Sequence, residues 1–165
     1  MGTLSSRYRY HDEPGGVGVT TVDTKTEANV QQAVPFFMVN DIEASLRFYV
    51  DGLGFTKTIE WVPEGKLEWC WLELGGVALM LQEFRKSGQG ASVRAQKLGV
   101  GVSICFICKD AVALYREFKA RGVEAKRPFV GNRMWVTSLV DPDGYRLDFE
   151  SPTDAPEESE LADDF

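Results

Sequence analysis

The chain has 165 residues, 44% of them hydrophobic, which suits one domain with a sizeable core or two small fused modules rather than a disordered segment. Its net charge of −7 sits at the ends: six acids follow Pro152 and residues 1–30 carry one excess negative charge, so residues 31–152 balance to neutral and offer no basic patch for nucleic acid. No apolar run approaches the ~20 residues that span a bilayer, and Met1 to Tyr10 has no apolar h-region, so a soluble, cytoplasmic protein with no membrane partner is expected.

Residues 1–30 are rich in Gly, Thr, Ser and charge, with Pro14-Gly15-Gly16 as a breaker, and read as a flexible arm. The pattern becomes regular near Ala33. Val34 to Val39 is an expected strand, Asp41 an N-cap, and Ile42, Leu46, Tyr49 and Val50 a helical stripe that ends at Gly52 and Gly54. Three further strands follow: Thr56 to Val62, Leu67 to Leu74, and Val77 to Glu83. They are joined by a turn at Pro63 to Lys66 and a Gly75-Gly76 hairpin. Residues 84–100 read as a loop.

A second round begins with a strand from Val102 to Cys108, a helix from Ala111 to Arg121 and a short strand from Val123 to Arg127. Met134 to Val140 and Tyr145 to Glu150 are the last strands, joined by Asp141-Pro142-Asp143-Gly144. The acidic segment 153–165 reads as a solvated tail. The three cysteines give no disulfide framework. Cys105 and Cys108 spell C-x-x-C within a strand, whose alternation points them to opposite faces, so they read as two buried apolar residues rather than a redox pair.

The second round repeats the first. The segment Phe37 to Tyr49 has a counterpart 69 positions later, Phe106 to Phe118: an apolar strand, an Asp-containing turn and an amphipathic helix closed by glycine. The order βαβββ twice gives an α+β class with largely antiparallel sheets, in modules of about residues 33–98 and 99–152.

Four segments carry a family resemblance: Val39-Asn40-Asp41, Phe48-Tyr49, Leu53-Gly54-Phe55 and the run Asp141 to Glu150. Over residues 33–152 the chain resembles the vicinal oxygen chelate superfamily, which includes glyoxalase I, bleomycin-resistance proteins and extradiol dioxygenases. The resemblance implies tandem βαβββ modules whose strands curve into an open cup, often paired with a second chain as a homodimer. In metal-using members four strands each give one ligand, and the matching positions here are Val34, Met80, Ser103 and Asp148. Only Asp148 is an ordinary ligand. The sole histidine, His11, lies in the arm, so neither a zinc site nor a two-histidine iron site can be assembled, and no metal or other cofactor is expected.

Strand alternation then suggests the cup lining. Across the Gly75-Gly76 hairpin Met80 should oppose Trp71, bringing in Trp69, while Phe36 accompanies Val34. Asp148 shares a face with Arg146 and Glu150 and, across the second turn, should oppose Thr137 and bring in Trp135. The expected ligand-binding set is Trp69, Trp71, Met80, Ser103, Trp135, Arg146, Asp148 and Glu150. Such a surface suits a small aromatic organic ligand, and equally a core or a dimer face. Three functions remain open: a metal-free binding protein of the bleomycin-resistance kind; a glyoxalase-like lyase, isomerase or thiol transferase with Asp148 as base and Arg146 as oxyanion stabiliser; and a closed structural member without ligand.

Overall fold

The computed structural model describes residues 29–84 and 98–162. Two compact units divide the chain. Unit 1 is residues 1–32, of which 29–32 are described and exposed; unit 2 is residues 33–165. The expected arm, apart from its last two residues, and most of the expected loop 84–100 lie outside the described residues. The account below concerns the second unit.

The first module runs β1 (Phe36–Val39), α1 (Ile42–Leu46), a π-helical segment (Arg47–Gly52), β2 (Thr56–Trp61), a 3-10 turn (Pro63–Gly65), β3 (Trp69–Leu74) and β4 (Val77–Glu83). The second runs β5 (Ser103–Ile107), α2 (Ala111–Ala120), β6 (Phe129–Gly131), β7 (Met134–Val140) and β8 (Arg146–Pro152). Each module folds its strands into a four-stranded sheet, ordered β1-β4-β3-β2 and β5-β8-β7-β6. The sheets are mixed: β1 lies parallel to β4 and β5 parallel to β8, and the remaining pairs are antiparallel.

The repeat survives in detail. Asp41 and Asp110 each leave an extended backbone and cap a helix, accepting from Ala44 N at 3.0 Å and Ala113 N at 2.9 Å. Phe36 pairs with Met80 in the first sheet, and Cys105, 69 residues after Phe36, pairs with Asp148 in the second. No described helix is long and apolar enough to cross a membrane.

One face of each sheet is packed. Phe37, Val39, Leu72, Leu79 and Leu81 from the first join Phe106, Leu139, Leu147 and Phe149 from the second, with Tyr49, Phe55 and Phe118, in a single buried cluster. The modules are stitched by Phe37 stacked on Tyr145, with centroids 4.1 Å apart and planes 11° apart, and by Phe55 edge-on to Phe106. Polar bonds cross the same seam. Tyr49 Oη donates to Asp141 Oδ2 at 3.0 Å, Tyr145 Oη to Met38 O at 3.1 Å, and Asn40 Nδ2 to Asp143 Oδ1 at 2.5 Å.

Three expectations need correction. The short strand expected at Val123 to Arg127 forms instead at Phe129–Gly131, beyond Pro128. Its register is set by the turn Asn132-Arg133, both at positive φ (53° and 60°), the pattern of a tight two-residue hairpin. Segment 123–127 keeps one ladder-like bond, Lys126 N to Ser138 O. The acidic tail is not wholly free: Ser159 and Glu160 pair with the β6 edge, through Val130 N to Ser159 O at 2.8 Å and a Phe129–Glu160 bridge. Cys105 is exposed rather than buried, and Cys108 is half-buried; both are free thiols.

Candidate functional site

The unpacked face of the first sheet is aromatic. Alternation places Phe36 and Met38 from β1, Met80 and Gln82 from β4, and Trp69 and Trp71 from β3 opposite the core residues of the same strands. Trp71 opposes Met80, as the hairpin spacing requires, and Trp69 opposes Gln82. Strand β2 extends the surface, since Ile59 pairs with Trp71 and Trp61 with Trp69. Phe36, Ile59 and Trp61 keep 50%, 54% and 45% of their surface exposed, and the other large side chains are half-buried. The Trp71 indole donates to Glu73 Oε1 at 2.9 Å, which satisfies its one polar atom on the same face and helps fix the ring.

Sequence reasoning missed Ile59 and Trp61. Their signal was present in the alternation Ile59, Trp61 just before the Pro63 turn. The bulge between Lys57 and Ile59 breaks the simple count back from the hairpin.

The corresponding face of the second sheet is organised around a carboxylate. Asp148 is buried, and its oxygens accept from Ser103 Oγ at 2.5 Å, Ser138 Oγ at 2.5 Å and Arg146 Nε at 3.0 Å. Burial alone would push its carboxyl up. The hydroxyls of Ser103 and Ser138 and the Arg146 guanidinium outweigh that and hold it below the ordinary aspartate value. An anion so fully donated to is a weak proton acceptor and has little lone-pair capacity left, which speaks against its use as a general base. Beside it, burial first, then a thiol hydrogen bond to Glu150 and the charges of Glu150 and Asp148, pushes Cys105 up to about 12, so its thiol is not a ready nucleophile.

The structure does not bring Trp135 to this face. Asp148 opposes Ser138, not Thr137, and Trp135 opposes Ser151. The cause lies in the turn. Asp141 N bonds Tyr145 O at 2.9 Å, so the hairpin closes around three residues, Pro142 to Gly144, with Gly144 at φ 94°. A two-residue closure would have produced the expected register. The single-residue change turns Trp135 onto the opposite side of β7 from Asp148 and places Ser138 in its stead. Trp69, Trp71 and Met80 thus share one face in the first sheet. Ser103, Arg146, Asp148 and Glu150 share one in the second.

Of the four positions that the family resemblance marks for metal, Ser103 and Asp148 bond each other, Met80 lies in β4, and Val34 precedes β1. Among the described residues no group of three or more His, Cys, Asp or Glu side chains is arranged to hold a metal ion.

Solved structures share this architecture. A bleomycin resistance determinant encoded on transposon Tn5 aligns with a TM-score of 0.58 at 22% identity, covering 76% of this chain and 100% of that one. TnmS3, an antibiotic binding protein from Streptomyces sp. CB03234, aligns at 0.57 with 19% identity over 77% of this chain and 100% of its own. A superfamily member from Sphaerobacter thermophilus aligns at 0.55 with 25% identity over 73% and 98%. No curated protein matches. Residues 31–149 match the family described as Glyoxalase/Bleomycin resistance protein/Dioxygenase superfamily. With that match and the doubled βαβββ fold, the chain belongs to the glyoxalase/bleomycin resistance protein/dioxygenase superfamily.

Proposed function

We infer that the protein is a metal-free small-molecule-binding protein that holds a planar aromatic or drug-like ligand against the first sheet. The observation that carries this reading is the aromatic face itself: Phe36, Trp61, Trp69 and Trp71 beside Ile59 and Met80, on the side of the sheet away from the core. Exposed aromatic surface of this kind is costly to leave in water and suits flat ligands, which stack on indole rings with little ordering cost. The likeness to a bleomycin resistance determinant and to an antibiotic binding protein supports a binding role for the fold.

A second copy of the chain completes the cup in this reading. One chain presents two open sheet faces. Ile107, Val140 and Phe129 leave apolar surface on the second, alongside the Asp148 cluster. Facing the first sheet of one copy with the second sheet of another would cover both and give the ligand an aromatic wall and a polar wall, with Ser103, Arg146, Asp148 and Glu150 on the latter. Asp148, already bound by two hydroxyls and a guanidinium, acts here as a fixed part of that wall and not as a base.

The test is intrinsic tryptophan fluorescence titrated against a panel of planar aromatic compounds, including cationic glycopeptide drugs and glutathione adducts, with oligomeric state followed by analytical ultracentrifugation. Saturable quenching by at least one compound, with a dimer in solution, is the expected outcome. A monomer whose fluorescence responds to none of them would overturn the reading.

A further inference from the structure

A cavity lies in the second module, outside the aromatic face of the first sheet. It has a volume of about 440 Å³ and is lined by Lys119, Glu124, Ala125, Lys126, Ser138, Leu139, Val140 and Arg146. Three chain segments build it. The end of α2 brings Lys119, the stretch along the β7 edge brings Glu124 to Lys126, and the turn-proximal ends of β7 and β8 bring Ser138, Val140 and Arg146. The bond from Lys126 N to Ser138 O at 2.9 Å fixes the middle segment against the sheet.

Its charge is lopsided. Three cations and one carboxylate, Glu124, line it; Arg146 is also paired with Asp148 at 3.0 Å, so three positive against two negative charges leave one positive charge in excess. Lys119 and Lys126 form no ion pair with a carboxylate among the described residues. Arg146 spends Nε on Asp148 and approaches Ser138 Oγ with Nη2 at 3.5 Å, which orients the guanidinium and leaves other donors of its fork unspent. At the adjoining end of α2 the Lys119 and Phe118 carbonyls accept from Gly122 N at 3.0 Å and Val123 N at 2.9 Å, so they are not free to bind the lysine ammonium groups directly. The rest of the lining is partly apolar: Ala125 is half-buried and Val140 exposed, while Leu139 turns its side chain into the core.

We propose that this cavity is an anion subsite for a small molecule that joins a phosphate or carboxylate group to an apolar body. Lys119, Lys126 and Arg146 hold the oxyanion, and the apolar surface of Ala125 and Val140 receives the body. Arg146 is oriented for that task by Asp148, which gives the buried carboxylate a positioning role. The cavity volume exceeds what inorganic phosphate fills and falls within the range of small-ligand sites. The proposal shares Arg146 and Val140 with the second-sheet wall described above, but it does not depend on stacking against the first sheet, to which none of its residues belongs.

The experiment is an ¹H–¹⁵N titration of the full chain with phenyl phosphate, benzoate and inorganic phosphate, in wild type and in the double variant Lys119→Gln/Lys126→Gln. Both lysines are exposed, so the variant should fold. Phenyl phosphate should produce saturable shifts at the amides of Lys126, Val140 and Arg146, with a dissociation constant of about 1 mM or below. Inorganic phosphate should bind more weakly, and a benzoate response equal to that of phenyl phosphate would assign the site to carboxylates. The double variant should lose about tenfold in affinity, added salt should weaken binding, and Glu124→Gln should strengthen it about twofold. No saturable shift at about 10 mM, or equal affinity in wild type and double variant, overturns the proposal. The aromatic-face reading stands or falls separately, since the double variant leaves Trp61, Trp69 and Trp71 untouched.

Discussion

Replacing Asp141 tests the electrostatics of the seam between the modules. Asp141 is 4% exposed and sits where the second module meets Tyr49 of the first. Burial is the largest influence on its carboxyl and raises it; bonds from Tyr145 N, Tyr49 Oη and Asp143 N oppose that, and the nearby Asp143 charge adds to it. The result is a carboxyl pushed up from 3.8 to about 6. The folded protein therefore binds this proton more tightly than the unfolded chain. The stabilisation it brings is full below about pH 4 and is lost as pH rises through about 6. At about 1.4 kcal/mol per pH unit, that gap corresponds to about 3 kcal/mol lost between pH 4 and pH 7. Asp141→Asn removes the titration while keeping an oxygen for the turn amides of Asp143 and Tyr145. Urea unfolding at half-unit steps from pH 4 to 7.5 should give a stability curve for wild type that falls by about 3 kcal/mol more than that of Asp141→Asn. Parallel curves for the two proteins would refute the reasoning.

Tyr49→Phe removes the bond that favours the charged form of Asp141. It should shift the pH-dependent loss of stability to higher pH and cost about 1–3 kcal/mol near neutrality, measured by the same unfolding series. Gly99→Ala should lower the melting temperature sharply, by a destabilisation of roughly 2 kcal/mol or more read by calorimetry. A Cβ there would lie 2.2 Å from the Gly144 carbonyl oxygen, in the turn that sets the β7–β8 register. Ser103→Ala should let the Asp148 carboxyl rise toward its ordinary value, followed by ¹³C carboxyl titration, because one of its three donors is lost.

The fold was largely legible because the repeat encodes it twice. Asp41 and Asp110 cap equivalent helices, and the Gly75-Gly76 hairpin delivers Trp71 opposite Met80 by spacing alone. Legibility failed where a turn's residue count was ambiguous. Asp141-Pro142-Asp143-Gly144 reads as a two-residue loop, yet Asp141 N reaches Tyr145 O. That one added residue exchanges Thr137 and Trp135 for Ser138 at the face of Asp148. The knot of Ser103, Ser138 and Arg146 around Asp148 joins three strands and depends on that register, so strand alternation alone could not reveal it. The basic cavity was equally hidden, since Lys119, Lys126 and Arg146 come from separate segments with no common spacing.

The reading as a binding protein rests on the aromatic face of the first sheet, and Trp71 lies at its centre, between Ile59 and Met80. The most direct measurement is isothermal titration calorimetry of the strongest quencher from the fluorescence panel with wild type and Trp71→Ala. Loss of one stacking indole should cost about 1.4 kcal/mol, a tenfold weaker dissociation constant, without a change in stoichiometry. Equal affinity in the two proteins would contradict the assignment of the ligand to this face.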